Sequence, residues 1–261
     1  MLKIQVNKGI TLDYEDHGKG NVLVFLHGLG STKKDWDAQV PFFSKTHRVI
    51  TLDLRGHGDS TKPKDAYGVE LMTEDVKQFL DHLDIKKATV IGFSMGGAVA
   101  FQMAVSYPEY VDNLVIVNSG PDFNNMGKIG EDLLNNRIEF LETKGLAPLA
   151  KEIAFNMFPE DHQKDLRNEF EARCKNNDYK AYYQSFFTLM HWGLGEKIHD
   201  ITARTLVVAS DMDYTPVAFK EDYVNRLQQA TLVVIKNSRH GVVIDQPDAF
   251  NFELNKFLKH E

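Results

Sequence analysis

One short stretch, Ala88 to Gly97 (ATVIGFSMGG), restricts the possible folds of this chain more than any other. Ala88-Thr89-Val90-Ile91 has the length and β-branching of a fully buried strand. It runs directly into Gly92-Phe93-Ser94-Met95-Gly96, a G-x-S-x-G pattern. A helix-like segment, Ala98–Tyr107, follows, with Pro108 as its stop. The pattern alone is common, and its bland reading is a glycine-rich turn with a bystander serine. The strand–turn–helix context is what gives it chemical meaning. A serine at the tip of such a turn adopts a strained backbone, so its hydroxyl stands clear of the sheet. Gly92 lets the strand pass close to the turn, and Gly96 and Gly97 let the helix pack against it. The free N–H groups and positive end of that helix face any oxyanion forming at Ser94.

The rest of the chain extends this unit. Leu2–Val6 and Thr11–Asp16 alternate apolar and polar residues around Asn7-Lys8-Gly9, as an antiparallel hairpin does. Val22–Leu26 and Arg48–Leu52 read as buried strands, with helical periodicity between them from Trp36 to Phe43, interrupted near Pro41. Thr73–Leu83 reads as a helix and Val111–Asn118 as the next strand. Strands that alternate with helices imply an α/β fold with a parallel sheet and right-handed crossovers. After Gly120-Pro121 the alternation stops. Residues 122–201 show helical segments at Lys128–Thr143, Ala147–Phe158, Glu160–Lys175 and Tyr179–Trp192, and no convincing strand. The rhythm resumes with a strand at Arg204–Ala209, a helix near Val217–Leu227, a strand at Thr231–Ile235 and a helix at Asp248–His260. The expected organisation is a core of residues 1–121 and 202–261, with 122–201 inserted as a helical cap over one sheet edge.

A length of 261 residues suits one α/β domain with an insertion. The net charge of -7 argues against a nucleic-acid or anionic-membrane surface. Cys174 is the single cysteine, so no internal disulfide framework exists, and a reducing, cytoplasmic setting is expected. The first sixteen residues alternate like a strand and lack the apolar run of a signal peptide. No window approaches the apolar length of a membrane span.

A serine hydroxyl is a weak nucleophile at neutral pH and needs a base, and the base needs an orienting acid. Of the ten histidines, His240 lies just past a late strand and is followed by Gly241, which eases a loop able to reach the carboxyl edge of the sheet. The acid belongs after the preceding strand, where Asp211 and Asp213 compete. Asp213 lies further into the loop, just before a Thr-Pro turn, and is the better placed; Asp211 suits a turn cap. Acyl transfer also requires donors for the oxyanion. The Met95 N–H at the helix start and the Leu29 N–H after Gly28 are the candidates. His27, Asp53, Arg55, His57 and Asp59 are read as a structural network beneath the site. No histidine pair has a metal-binding spacing, so no metal is expected, and acyl transfer by a serine, a histidine and an acid requires no organic cofactor.

Taken together, His27-Gly28, the Asp53–Ser60 loop, Gly92–Gly97, the Asp213 loop and His240 resemble the α/β-hydrolase fold superfamily. Within it the chain is similar to single-domain bacterial carboxylesterases, enol-lactonases and cofactor-free perhydrolases. The resemblance implies a mostly parallel, eight-stranded sheet flanked by helices, a cap over the pocket, and Leu29 and Met95 as oxyanion donors. Haloalkane dehalogenases and epoxide hydrolases share the fold but use an aspartate nucleophile, which Ser94 disfavours. The acid loop departs from the common G-x-x-D-x-x-x-P. Ser210 replaces the glycine and Asp213 stands one residue nearer Pro216, which keeps Asp211 as an alternative.

These readings converge on a serine hydrolase that cleaves carboxylic esters or lactones of small, mostly apolar molecules through an acyl-enzyme on Ser94. The alternatives are a C–C bond hydrolase or cofactor-free perhydrolase with the same triad, and a ligand-binding receptor on a hydrolase scaffold. The insertion is rich in aromatic residues and methionine, from which Met190 and Trp192, together with Phe93 beside the serine, are read as substrate contacts. The oligomeric state has no signature in the sequence.

Overall fold

Eight strands form a single sheet: β1 Leu2–Asn7, β2 Ile10–His17, β3 Val22–Leu26, β4 Arg48–Leu52, β5 Ala88–Phe93, β6 Val111–Val117, β7 Arg204–Ser210 and β8 Ala230–Ile235. The computed structural model describes residues 2–65 and 67–259. The strand order is β1-β2-β4-β3-β5-β6-β7-β8. β2 pairs antiparallel with both β1 and β4, and every other neighbouring pair is parallel. All six residues of β5 are buried. Its apolar run follows from helices covering both faces, which removes the need for a polar side. β3 lies between β4 and β5, so the chain leaves β3 towards one edge and later returns on its other side. At such a reversal the connecting loops diverge and open a crevice beyond the strand ends. Leu26 is in register with Gly92, which brings the loop after β3 alongside the loop carrying Ser94.

The helices are α1 Val40–Phe43, α2 Val69–His82, α3 Met95–Ser106, α4 Gly127–Lys144, α5 Leu146–Met157, α6 Lys164–Lys175, α7 Tyr179–Met190, α8 Val217–Val224, α9 Val242–Asp245 and α10 Pro247–Leu258. The expected Trp36–Phe43 helix is split into a 3-10 turn at Lys33–Trp36 and the short α1, with Pro41 in the first turn of α1, where its missing N–H costs nothing. α3 starts at Met95 rather than Ala98, immediately after the serine. The short α9 after His240 has no counterpart in the sequence reading. The final expected helix ends at Leu258, and His260, its expected last residue, lies outside the described residues. Among the described residues, no helix is long and apolar enough to cross a membrane.

Helices α4 to α7 all fall within residues 122–201. The two chain segments that enter and leave this insertion pair through an isolated antiparallel bridge between Asp122 and Gly193. The N–H groups of Phe123 and Asn124 donate to the Trp192 carbonyl at 3.0 and 3.1 Å, and Leu194 N–H donates to Pro121 at 2.9 Å.

Glycine is required where α3 meets the sheet. A Cβ at Gly96 would run into the Leu26 carbonyl and lie 2.7 Å from the His27 carbonyl oxygen. Alanine is ordinarily the better helix residue by up to about 1 kcal/mol. Here the clash is with backbone and cannot relax by a rotamer change. Gly96→Ala is therefore expected to destabilise by about 2 kcal/mol or more, the range of overpacked cores. A urea midpoint equal to or above that of the parent would contradict this packing.

Candidate active site

Ser94 occupies the turn between β5 and α3 with φ 52° and ψ -117°, a conformation that side-chain-bearing residues seldom adopt. Its surroundings hold it there. The Ser94 N–H donates to Val117 of β6 at 2.9 Å. The Ser94 carbonyl accepts from Gly97 N–H at 2.9 Å and from the Ser119 hydroxyl at 2.7 Å. Backbone strain of this kind persists only when neighbouring contacts over-determine it.

The neighbouring loop after β3 is fastened from below. His27 donates from Nδ1 to the Gly28 carbonyl at 2.8 Å and accepts at Nε2 from Leu54 N–H at 3.0 Å. The His27 carbonyl accepts from Gly96 N–H at 3.1 Å. Burial lowers the pKa of His27 and brings that of His57 down to about 3, so both rings stay uncharged and structural. Asp53 is tied to Lys33 Nζ at 2.9 Å and to the N–H groups of Lys33 and Asp59 at 2.7 and 2.9 Å, while Arg55 pairs with Asp75. Carboxylate oxygens of Asp13, Asp53 and Asp59 gather within 4.8 Å of one another. The Lys33 ammonium, 2.6 Å from Asp13, already supplies the countercharge there. This loop ends at Gly28 and Leu29 beside the serine. Among the described residues, neither the Leu29 N–H nor the Met95 N–H donates to a protein acceptor.

The loops after β7 and β8 bring Asp213 and His240 together, with His240 Nδ1 2.8 Å from Asp213 Oδ1. Asp211 takes another role. It accepts from Ser238 N–H at 3.4 Å and so steadies the loop that leads to His240. Burial alone would raise the Asp213 pKa, but His240 and the fully buried Lys220 ammonium hold it at about 2. Asp213 therefore remains a carboxylate. Tyr214, one residue further on, sets its ring 4.5 Å from that of His240 at a tilt of 40° and places its hydroxyl 3.4 Å from His240 Nε2. Crowding by the surrounding protein and the Asp213 charge raise the Tyr214 phenol, although the residue keeps 47% of its surface exposed, with Arg137 and the Ser94 hydroxyl acting in the opposite sense.

Ser94 and His240 open into one cavity of about 510 Å³, roofed by helices of the insertion. Gly28, Leu29 and Phe93 line its core side, and a Cβ at Gly28 would come within 3.0 Å of the Phe93 ring. Phe140, Met157 and Tyr182 form part of the opposite wall. Met190 and Trp192, expected at the pocket, do not line it. Both are buried at the base of the insertion, where Trp192 Nε1 donates to Gln102 of α3 at 2.8 Å and the Trp192 carbonyl belongs to the paired neck. Aromatic content marks residues that will be buried but does not separate cavity wall from helix packing. Arg137, Glu152 and Arg239 also line the cavity, and none of the three forms an ion pair among the described residues. Sequence reasoning missed these three, as well as Tyr214 and Lys220. Only Tyr214 carried a signal, its place directly after Asp213.

The fold agrees with the comparisons to known proteins. The family model described as alpha/beta hydrolase fold matches residues 21–247, and the chain belongs to that family. Among its relatives is 3-oxoadipate enol-lactonase 2 of Acinetobacter baylyi, 28% identical over 257 residues, covering 96% of this chain and 94% of the relative. An esterase from Exiguobacterium antarcticum superposes with a TM-score of 0.91 at 25% identity, over 98% of both chains. The enol-lactonase from Burkholderia xenovorans LB400 shares the fold, with a TM-score of 0.90 at 24% identity over 99% of this chain and 100% of the other.

Proposed function

We propose that this protein is a serine hydrolase that cleaves small carboxylic esters or lactones through an acyl-enzyme on Ser94. The observation that carries the proposal is the convergence on one cavity of a strained, outward-facing Ser94 and an Asp213–His240 pair. Asp213 accepts the Nδ1 proton of His240, which leaves Nε2 free as the base. His240 removes the Ser94 proton as the hydroxyl attacks the carbonyl carbon. The oxyanion is met by the Leu29 and Met95 N–H groups, which have no competing protein acceptor among the described residues. Protonated His240 gives its proton to the leaving oxygen, and water then attacks the acyl-enzyme by the same path. The Tyr214 hydroxyl stands beside Nε2, so the incoming substrate displaces or re-uses that contact.

A cavity of about 510 Å³ is the size that small ligands occupy. Its apolar wall suits the body of a small, mostly apolar acyl or lactone group, and the helical insertion serves as the lid that excludes water. A second reading of the substrate follows from Arg137 and Arg239: an ester or lactone carrying a carboxylate would find two guanidinium groups that form no ion pair among the described residues, Arg137 resting on the Phe186 ring. The enol-lactonase and esterase relatives support ester or lactone cleavage and leave the choice of substrate open. Matched p-nitrophenyl esters, one neutral and one carboxylate-terminated, separate the readings; activity confined to the charged ester rejects the apolar one.

The proposal is tested by a fluorophosphonate probe. The expected result is one label, on Ser94, that His240→Ala abolishes. Labelling elsewhere, or undiminished labelling without His240, would exclude the mechanism.

A further inference from the structure

A fully buried lysine touches the acid of the proposed triad. Lys220, on the first turn of α8, has no exposed surface. Helical side chains lean towards the helix N-terminus, and Lys220 reaches back in that direction to the loop before α8. Its ammonium donates to Asp213 Oδ2 at 2.6 Å, to the Thr215 carbonyl at 2.6 Å and to the Thr215 hydroxyl. All three hydrogens are thus used within one loop. The Thr215 hydroxyl in turn donates to Asp213 Oδ2 at 2.5 Å. One carboxylate oxygen is saturated by Lys220 and Thr215, and the other is left to His240.

Burying a lone ammonium or carboxylate is costly, and the pair avoids that by mutual neutralisation. The neutralisation has a consequence for the imidazole. A carboxylate beside a histidine favours its charged form, whereas a cation beyond the carboxylate opposes it; burial lowers the Lys220 pKa, and the Asp213 charge works against that fall. We propose that Lys220 is a positioning residue of the active site: with Thr215 it holds Asp213 Oδ2, keeps Oδ1 turned to His240, and cancels much of the carboxylate charge that His240 would otherwise face. The inference rests on the catalytic roles proposed above for Asp213 and His240.

Other charges near His240 are distributed differently. Arg239 precedes it in its own loop, and Arg137 and Glu152 lie across the cavity on the insertion. Tyr214 meets Nε2, and Ser94 shares the cavity. Asp211 and Asp245 act on Ser238, two residues upstream. Among the described residues, Lys220 is the one charged group besides His240 itself that is bonded to the carboxylate holding Nδ1.

The test is an NMR titration of the His240 ring in the parent, Lys220→Met and Lys220→Arg, with the signal assigned by its absence in His240→Ala. A pH profile of ester hydrolysis is run alongside. Lys220→Met is expected to move the titration of the His240 signal to higher pH than in the parent, the direction set by deleting a nearby positive charge. The acid limb of kcat/KM moves up with it, a loss of activity below the limb. Lys220→Arg keeps the parent value. If Lys220→Met does not fold, Lys220→Gln, which removes the charge but keeps donors, makes the same comparison. An unchanged His240 pKa in the neutral variants, or an equal shift in Lys220→Arg, overturns the inference. Absence of turnover in the parent would defeat the hydrolase reading, while the titration would still decide the role of Lys220.

Discussion

Ser94→Ala is expected to lower kcat for a p-nitrophenyl ester by about 10⁵-fold or more, the scale on which losing the nucleophile disables a catalytic triad. The chemistry leaves little room for a substitute. The turn presents a single hydroxyl beside the Asp213–His240 pair, and Tyr214, the next candidate, has a phenol raised by crowding and by the Asp213 charge. Residual rate would come only from the free Leu29 and Met95 donors and from binding. The fold should survive, because the Ser94 backbone hydrogen bonds to β6 and α3 do not involve the removed oxygen. Ser94→Gly makes a useful companion. Glycine adopts φ 52° without strain, so that variant should be equally inactive yet more stable by about 1 kcal/mol or more. Thermal melting beside the assay separates the two effects. Ester hydrolysis at the parent rate in Ser94→Ala would exclude Ser94 as nucleophile.

The parts of this molecule legible in the sequence are those set by local pattern. Buried strands such as Val22–Leu26 and Arg48–Leu52 agree with the structure residue for residue, because short, mainly apolar runs bounded by turn residues have few alternatives. The G-x-S-x-G turn was legible because close approach leaves no room for side chains at Gly92 and Gly96. Asp213 was separable from Asp211 by its depth in the loop, a consequence of reach. What stayed hidden depends on three-dimensional packing. Trp192 and Phe140 are both aromatic residues of the insertion, yet Trp192 lies at its neck and Phe140 on the cavity wall. Lys220 is the clearest case. A lysine in a short helix reads as solvated surface, and nothing nearby in the chain signals that its ammonium turns inward to Asp213.

Asp213→Asn should therefore do two things that are usually separate. Asparagine can offer its carbonyl to only one neighbour. If its amide faces His240, it donates to Nδ1 and drives the proton to Nε2, the wrong tautomer for a base. If its carbonyl faces His240, the amide meets the Lys220 ammonium, donor against donor. The ammonium disfavours the second orientation, and in the first kcat is expected to fall by about 10⁴-fold, as in other triads whose histidine is driven to the wrong tautomer. Stability should fall as well, by about 3–5 kcal/mol, because a buried ammonium loses its counter-ion. The pH dependence has a defined sign. Asp213 is held at about 2 in the folded state, so its contribution is present above the usual carboxylate range and is lost as pH falls towards 2. The substitution should flatten that limb of the stability profile. Adding Lys220→Met removes the orphaned charge, so the double variant should recover most of the urea midpoint while remaining inactive. That non-additivity isolates the pair. A single variant as stable as the parent would mean that Lys220 finds another partner or water, and that the buried ion pair does not constrain this site.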